Sequence, residues 1–273
     1  MDALRLDCID IEKILTRFIS DEFCKAGKRQ AVIGLSGGLD SSTAAFLAVK
    51  ALGADNVLAY LLPYRTSSPT SSDDAALVAD TLGISREIID ITAMVDTYLA
   101  LVPQAGQVRT GNIAARQRMI ILYDKSAEHN ALVLGTANKT EYLLGYTTLW
   151  GDMACALTPL GDLYKTQVRQ LARYLGVPDR ILLKPPSADL WEGQTDEGEL
   201  GFSYETVDQL LYHMIDRQCT MSELQNKGYK PAFINKVSMV IKNSQYKRRM
   251  PLTIEISSRT TAPDSSSPRK RDA

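Results

Sequence analysis

The chain is poor in the residues that build metal clusters and disulfide frameworks. Its 273 residues include four cysteines, Cys8, Cys24, Cys155 and Cys219, and two histidines, His129 and His213. No cysteine pair has CxxC spacing and neither histidine lies near such a pair, so no structural zinc site is expected. The thiols read as reduced, with packing roles. Neither sign of charge dominates. A formal net charge of -1 gives the whole chain no electrostatic reason to bind nucleic acid. No apolar run is long enough to span a bilayer, so no membrane partner is expected. Residues 1 to 10 mix acidic, basic and apolar side chains, with no basic start and no apolar core. They do not read as a signal peptide, and a cytoplasmic location is expected. Two nucleotide signatures are also missing. Without GxxxxGK(S/T) there is no Walker-type loop, and without GxGxxG there is no dinucleotide fingerprint.

What is present suffices for one substantial core, since 45% of the residues are hydrophobic. Ile11, Ile14, Leu15, Phe18 and Ile19 recur at helical spacing and predict a first helix with one apolar face. Residues 31–35 read as a strand, followed by Ser36-Gly37-Gly38 and a helix over 41–52. Residues 57–62 read as a second buried strand. Asp73 is expected to cap a helix that carries Ala76, Leu77, Ala79 and Leu82 and ends at Gly83. Further strands are expected over 86–91 and 131–134. Between them a long helix follows Gly111, with Met119, Ile120, Leu122 and Tyr123 facing inward. Another amphipathic helix spans 165–176. Residues 189–201 are polar, acidic and glycine-rich and predict a mobile loop, with two or three helices after it. Residues 257–273 have no apolar period and predict a disordered tail behind a single domain over 1–256.

Strands alternating with helices imply an α/β fold, a doubly wound parallel sheet covered on both faces, with extra C-terminal helices. Ligands of such sheets bind beyond the carboxyl ends of the strands. Residues 36–40 and 136–141 both emerge there.

The segment Gly34-Leu35-Ser36-Gly37-Gly38-Leu39-Asp40-Ser41 joins a strand to a helix. Adjacent glycines let the backbone close around an anion, and the helix start directs N–H groups at the same point. Ser36 and Ser41 add hydroxyl donors. Asp40 repels phosphate unless Mg²⁺ stands between them, so a metal is implied.

This SGGxDS stretch resembles the signature of the ATP pyrophosphatases, which cleave ATP between its α and β phosphates. Downstream segments resemble one branch, the NAD synthetases. They are Gly111-Asn112-Ile113-Ala114-Ala115-Arg116-Gln117-Arg118-Met119, Gly135-Thr136-Ala137-Asn138-Lys139-Thr140-Glu141, Leu163-Tyr164-Lys165-Thr166-Gln167-Val168 and Lys184-Pro185-Pro186-Ser187-Ala188-Asp189-Leu190. The resemblance runs over roughly residues 10 to 255.

The resemblance implies ATP as co-substrate, bound by the SGGxDS loop with Thr136, Lys165 and Ser187, and Mg²⁺ held by Asp40 and Glu141. It implies that Arg116 and Lys247 contact a deamido-NAD substrate. Three expected substrate contacts differ from the common pattern: Leu149 stands for a lysine, Ala156 for an aspartate and Tyr246 for a histidine. The implied chemistry is an amide-forming ligation in two steps. The carboxylate is adenylated, then ammonia displaces AMP, with Asp40 and Lys165 serving the first step. Asp152 is a candidate to bind ammonium or take its proton; a turn-forming role is the alternative reading. No segment suggests a glutaminase nucleophile with a histidine partner, so ammonia itself is the expected nitrogen donor. The resemblance also implies a homodimer. Two other functions stay open: amidation of a different carboxylate, and nucleotide binding without catalysis.

Overall fold

Among the described residues four short strands lie parallel in the order β3-β2-β1-β4: β1 (Ala31–Gly34), β2 (Val57–Leu61), β3 (Ser85–Ile88) and β4 (Leu132–Val133). The computed structural model describes residues 2–191, 193–249 and 251. The expected tail over 257–273 lies outside the described residues. The central strands are continuous apolar runs because both their faces are covered. Ala31, Val32 and Ile33 are fully buried, and Val57, Ala59, Tyr60 and Leu61 nearly so. Strand β3 is exposed along its length, and its Ser-Arg-Glu-Ile sequence carries the charges that blunt an open edge. Ala31 pairs with Val57 on one side and Leu132 on the other.

The chain steps outward from β1 to β2 to β3, then crosses back to place β4 on the far side of β1. That reversal is a topological switch point, where a crevice opens beyond the strand ends. Helices α1 (Cys8–Lys25), α2 (Leu39–Leu52), α3 (Pro69–Leu82) and α7 (Lys165–Leu175) share one core with the sheet, which includes Ile19, Phe23, Ile33, Leu47, Val78 and Leu171. Helices α4 (Thr92–Leu99) and α5 (Gln107–Glu128) cover the other face, around Val32, Tyr60, Ile91, Val95, Ala114 and Ile121. A third cluster joins α6 (Lys139–Leu144) to α10 (Tyr204–Leu211), α11 (Met221–Asn226) and α12 (Pro231–Ser244) through Leu144, Tyr164, Tyr204, Val207 and Val237. Short helices α8 (Asp179–Leu182) and α9 (Asp196–Leu200) lie between α7 and α10. Among the described residues no helix is long and apolar enough to cross a membrane.

Several local expectations are corrected. Helix α3 starts at Pro69 with Ser68 at its N-cap, so Asp73 lies inside the helix. Proline suits that first position because its missing N–H has no partner there anyway. In α1 the buried line runs through Ile19 and Phe23, while Ile14 and Phe18 are 59% and 38% exposed. In α5 the inward face is Gly111, Ala114, Ala115 and Ile121, and Ile120 and Tyr123 are exposed. Small residues bring α5 close to the sheet but contribute little to an apolar period. Within the segment expected as a loop, residues 196–200 form α9 and the described residues around it make a hydrogen-bonded turn. Gln194 organises the turn: its Oε1 accepts from Leu190 N at 2.8 Å, and its carbonyl accepts from Ser187 Oγ at 2.7 Å.

Candidate active site

The turn after β1 is shaped by one close approach. Gly37 has φ +73°, and a Cβ there would stand 2.2 Å from the Ser71 carbonyl oxygen. Only glycine fits. Hydroxyls brace the rest of the turn: Ser36 Oγ and Ser41 Oγ lie 3.0 Å apart, Gly38 N donates to Ser36 Oγ at 3.3 Å, and Ser42 Oγ donates to the Gly38 carbonyl at 2.7 Å. Gly38 is the N-cap of α2, and no side chain caps the helix. Its first N–H groups are left for an anion.

Asp40 follows in the first turn of α2 and faces the loop after β4. Asn138 Nδ2 donates to Asp40 Oδ1 at 2.9 Å, and Lys165 Nζ donates to Asp40 Oδ2. Lys165 Nζ also donates to Glu141 Oε1 at 3.3 Å. Asn138 is fully buried and forms a capping box with Glu141, receiving Glu141 N on its Oδ1 at 3.0 Å and donating its own N–H to Glu141 Oε2 at 3.3 Å. One oxygen of Glu141 thus fixes the start of α6 while the other faces Lys165.

Asp208 on α10 ties the two helix starts together. It accepts from Thr140 Oγ1 at 2.6 Å and from Thr166 N at 2.8 Å, and Lys165 N donates to Thr140 Oγ1 at 3.0 Å. A fully buried carboxylate with both oxygens bonded holds Glu141 and Lys165 against Asp40.

The charges respond to this crowding. Burial pulls Lys165 toward neutrality, but Asp40 and Glu141 outweigh it, and its ammonium is held well above the ordinary lysine range. Burial and the Asp40 charge push the Glu141 carboxyl up to about 8, against the pull of Lys165. Asp152 opens onto the cavity yet is enclosed by protein deeply enough that desolvation raises it to about 6; the Thr148 N–H works the other way. That N–H reaches Asp152 Oδ1 at 2.6 Å, so the turn-forming role is present alongside its place in the cavity wall.

A cavity of about 540 Å³ fills the switch point, lined by Gly34, Leu35, Ser36, Gly38, Leu39, Asp40, Ser41, Thr136, Glu141, Asp152, Lys165 and Ser187. Gly37, also expected at the nucleotide, is buried and does not line it. The five residues expected at the substrate do not line it. Arg116 donates from Nε and Nη2 to the Leu149 carbonyl at 3.3 and 3.2 Å. Lys247 Nζ donates to the carbonyls of Gly145 and Thr147 at 2.8 and 2.6 Å. Leu149 and Lys247 instead line a second cavity of about 360 Å³, with Trp150, Tyr142, Met153, Arg248 and Arg249. Tyr246 is 63% exposed, and Ala156 is tied to the sheet through its N–H to the Val133 carbonyl at 2.8 Å; neither lines these two cavities.

Sequence reasoning missed Asn138, Asp208, Asp196 and Arg118. The Asn-x-x-Glu spacing of a capping box was a usable signal for Asn138. Arg118 lines the main cavity with Nε donating to the Leu62 carbonyl at 2.9 Å. Asp196 lines it too, accepting from Tyr204 Oη at 3.0 Å.

The fold and this site define a class: an α/β protein with a glycine turn, an uncapped helix start and a charged cavity at the switch point of a parallel sheet. Comparison with known proteins narrows the class. The model of the NAD synthase family matches residues 11–251. The chain is 52% identical over 261 residues to the NH(3)-dependent NAD(+) synthetase of Chlorobaculum parvum, covering 96% of this chain and 94% of that one. It is 46% identical over 256 residues to the protein of that name from Fusobacterium nucleatum, covering 94% and 99%. Among solved structures, the NMN synthetase of Francisella tularensis superposes with a TM-score of 0.82 at 34% identity, covering 92% of this chain and 99% of that one. The NH3-dependent NAD synthetase of Campylobacter jejuni, solved with nitrate, gives 0.78 at 33%, covering 92% and 100%. This chain belongs to the NAD synthase family, and it is a ligase.

Proposed function

We propose that the chain adenylates the nicotinate carboxylate of deamido-NAD with ATP and amidates it with ammonia, yielding NAD, AMP and pyrophosphate. The observation that carries this reading is the contact of Asp40, Glu141 and Lys165 beside a turn that admits only glycine. The turn and the start of α2 receive the β and γ phosphates, and Thr136 and Ser187 border the rest of the nucleotide. Asp40 and Glu141 direct hard oxygen donors at one cation position, now filled by the Lys165 ammonium, and that donor set fits Mg²⁺. Bound there, Mg²⁺ supplies charge neutralisation to the departing pyrophosphate. Lys165 adds a mobile positive charge of its own. The protein's remaining share is positioning: carboxylate and α-phosphate are held together while water is excluded. Asp152, with Oδ1 committed to Thr148, offers its other oxygen to an ammonium proton.

A second reading has its own support. Leu149, Ala156 and Tyr246 stand where a cation, a carboxylate and a histidine were expected, and a solved neighbour of high similarity is an NMN synthetase. Amidation of nicotinic acid mononucleotide is therefore the alternative. The test is pyrophosphate release from Mg-ATP and ammonia with either acid. Release that depends on the dinucleotide supports the first reading, release with the mononucleotide alone supports the second, and release with neither refutes both.

A homodimer fits the exposed apolar side chains that α4 and α5 leave uncovered, Met94, Tyr98, Ile120 and Tyr123. Sedimentation at micromolar concentration tests it, and a monomer would refute it.

A further inference from the structure

Lys165 occupies the position that the proposed Mg²⁺ needs. Its ammonium lies between Asp40 Oδ2 and Glu141 Oε1, and its side chain is 6% exposed. A lysine ammonium and a divalent cation repel each other at ion-pair distance, so both cannot share these two carboxylates. Loading the metal requires the lysine to leave these oxygens, and a displaced ammonium in a poorly solvated position needs another acceptor.

One protein acceptor is linked to the lysine through an aromatic ring. Tyr204 presents its ring to Lys165, with Nζ 5.3 Å from the centroid. The same tyrosine donates its hydroxyl to Asp196 Oδ2 at 3.0 Å. Asp196 is 3% exposed, and its other oxygen, Oδ1, is buried without a hydrogen-bond partner. Tyr146 also faces Asp196, but its one hydroxyl proton is directed at Glu199 Oε2 at 2.6 Å. The charge of Lys165 already reaches Asp196. Two carboxylates contact this ammonium, and a third, Asp196, stands across the Tyr204 ring from it without touching it and holds an unused lone pair. Buried carboxylate oxygens are seldom left unpaired, so this one can accept a cation that moves during the cycle.

We propose that Lys165 is a placeholder cation, and that Asp196 receives its ammonium when the divalent metal takes Asp40 and Glu141. The proposal rests on the metal reading given under Proposed function. Asp196 is then a positioning residue: it acts through Lys165 and touches neither metal nor substrate. Because Asp196 N donates to the Pro186 carbonyl at 3.0 Å, the seating of Asp196 against Pro186 sets how readily the lysine leaves.

The test is Mn²⁺ binding to the full chain, read as loss of the free-ion paramagnetic resonance signal, with α,β-methylene-ATP present. Wild type, Asp196→Asn, Lys165→Met and the double variant form a cycle. Asparagine keeps an acceptor for Tyr204 but loses the charge. The expected result is that Asp196→Asn weakens Mn²⁺ binding at least fivefold when Lys165 is present and less than twofold in the Lys165→Met background. Without nucleotide, Lys165→Met is expected to bind Mn²⁺ at least tenfold tighter than wild type. Asp196→Glu keeps the charge and is expected to stay within threefold of wild type, which guards against a folding defect in the asparagine variant. Equal weakening by Asp196→Asn in both backgrounds overturns the proposal, since Asp196 would then act on the metal directly. No weakening in either background overturns it too. If wild type shows no Mn²⁺ site that Asp40→Asn removes, the metal reading itself fails and takes the proposal with it.

Discussion

Replacing Gly37 by alanine separates two costs that this turn combines. The first is conformational. At φ +73° an L side chain pays about 1–2 kcal/mol for the left-handed region. The second is contact. The new Cβ would lie 2.2 Å from the Ser71 carbonyl oxygen and 2.9 Å from both Ala75 N and Asp74 Cβ. Two of those atoms are backbone within α3, so the helix start must shift, and forced overpacking of this kind costs roughly 1–3 kcal/mol more. The sum is roughly 2–5 kcal/mol. Gly27 provides the control, with φ +65° and nothing within 4 Å of an added Cβ. Gly27→Ala is expected to cost only the first part, about 1–2 kcal/mol. Urea unfolding followed by circular dichroism measures both. ATP affinity, measured by calorimetry, is expected to fall at least tenfold in Gly37→Ala and to stay unchanged in Gly27→Ala. Equal destabilisation by the two variants would refute the claim that close approach of α3 dictates glycine at position 37.

Two further outcomes are expected. Asp208→Ala leaves the buried donors Thr140 Oγ1 and Thr166 N without acceptors, and at about 1–3 kcal/mol for each lost partner the variant should unfold at clearly lower urea concentration; an unchanged midpoint would show that Asp208 does not hold α6 and α7 together. The carboxyl of Asp152, raised to about 6, must be ionised to take an ammonium proton, so kcat/KM should fall as pH drops through 6. Asp152→Asn should be slow at every pH and lack that limb, and a retained limb at normal rate would remove Asp152 from the chemistry.

The legible parts of this protein were the local ones. SGGxDS announces its turn because glycine conformation, hydroxyl bracing and a helix start all fall within eight residues. The alternation of apolar strands with helices gave the layer order for the same reason. Helix faces were less legible. In α5 the residues against the sheet are Gly111, Ala114 and Ala115, whose small side chains weigh little in any apolar period, while the exposed Ile120 and Tyr123 weigh heavily. The start of α3 was misplaced because Asp73 offered a capping side chain, whereas Pro69 had already fixed the first turn.

The site's supports were hidden by sequence distance. Asp208 reaches Thr140 across 68 positions, and Lys165 reaches Asp40 across 125. No spacing rule links such residues, and only the packing of α10 against α6 and α7 brings them together. For the substrate half the resemblance is the one signal in the sequence, and its residues fall around a second cavity or outside both. Arg116 and Lys247 spend their donors on backbone carbonyls of the 145–149 segment, so in the free protein they shape that turn.

The adenylation step can be followed directly by labelling the carboxylate of the acid substrate with oxygen-18 and analysing the released AMP by mass spectrometry. Attack of that carboxylate on the α-phosphate, with ammonia then cleaving the acyl–oxygen bond, places one labelled oxygen in each AMP. Unlabelled AMP, or ADP and inorganic phosphate in its place, would contradict adenylation at this cradle.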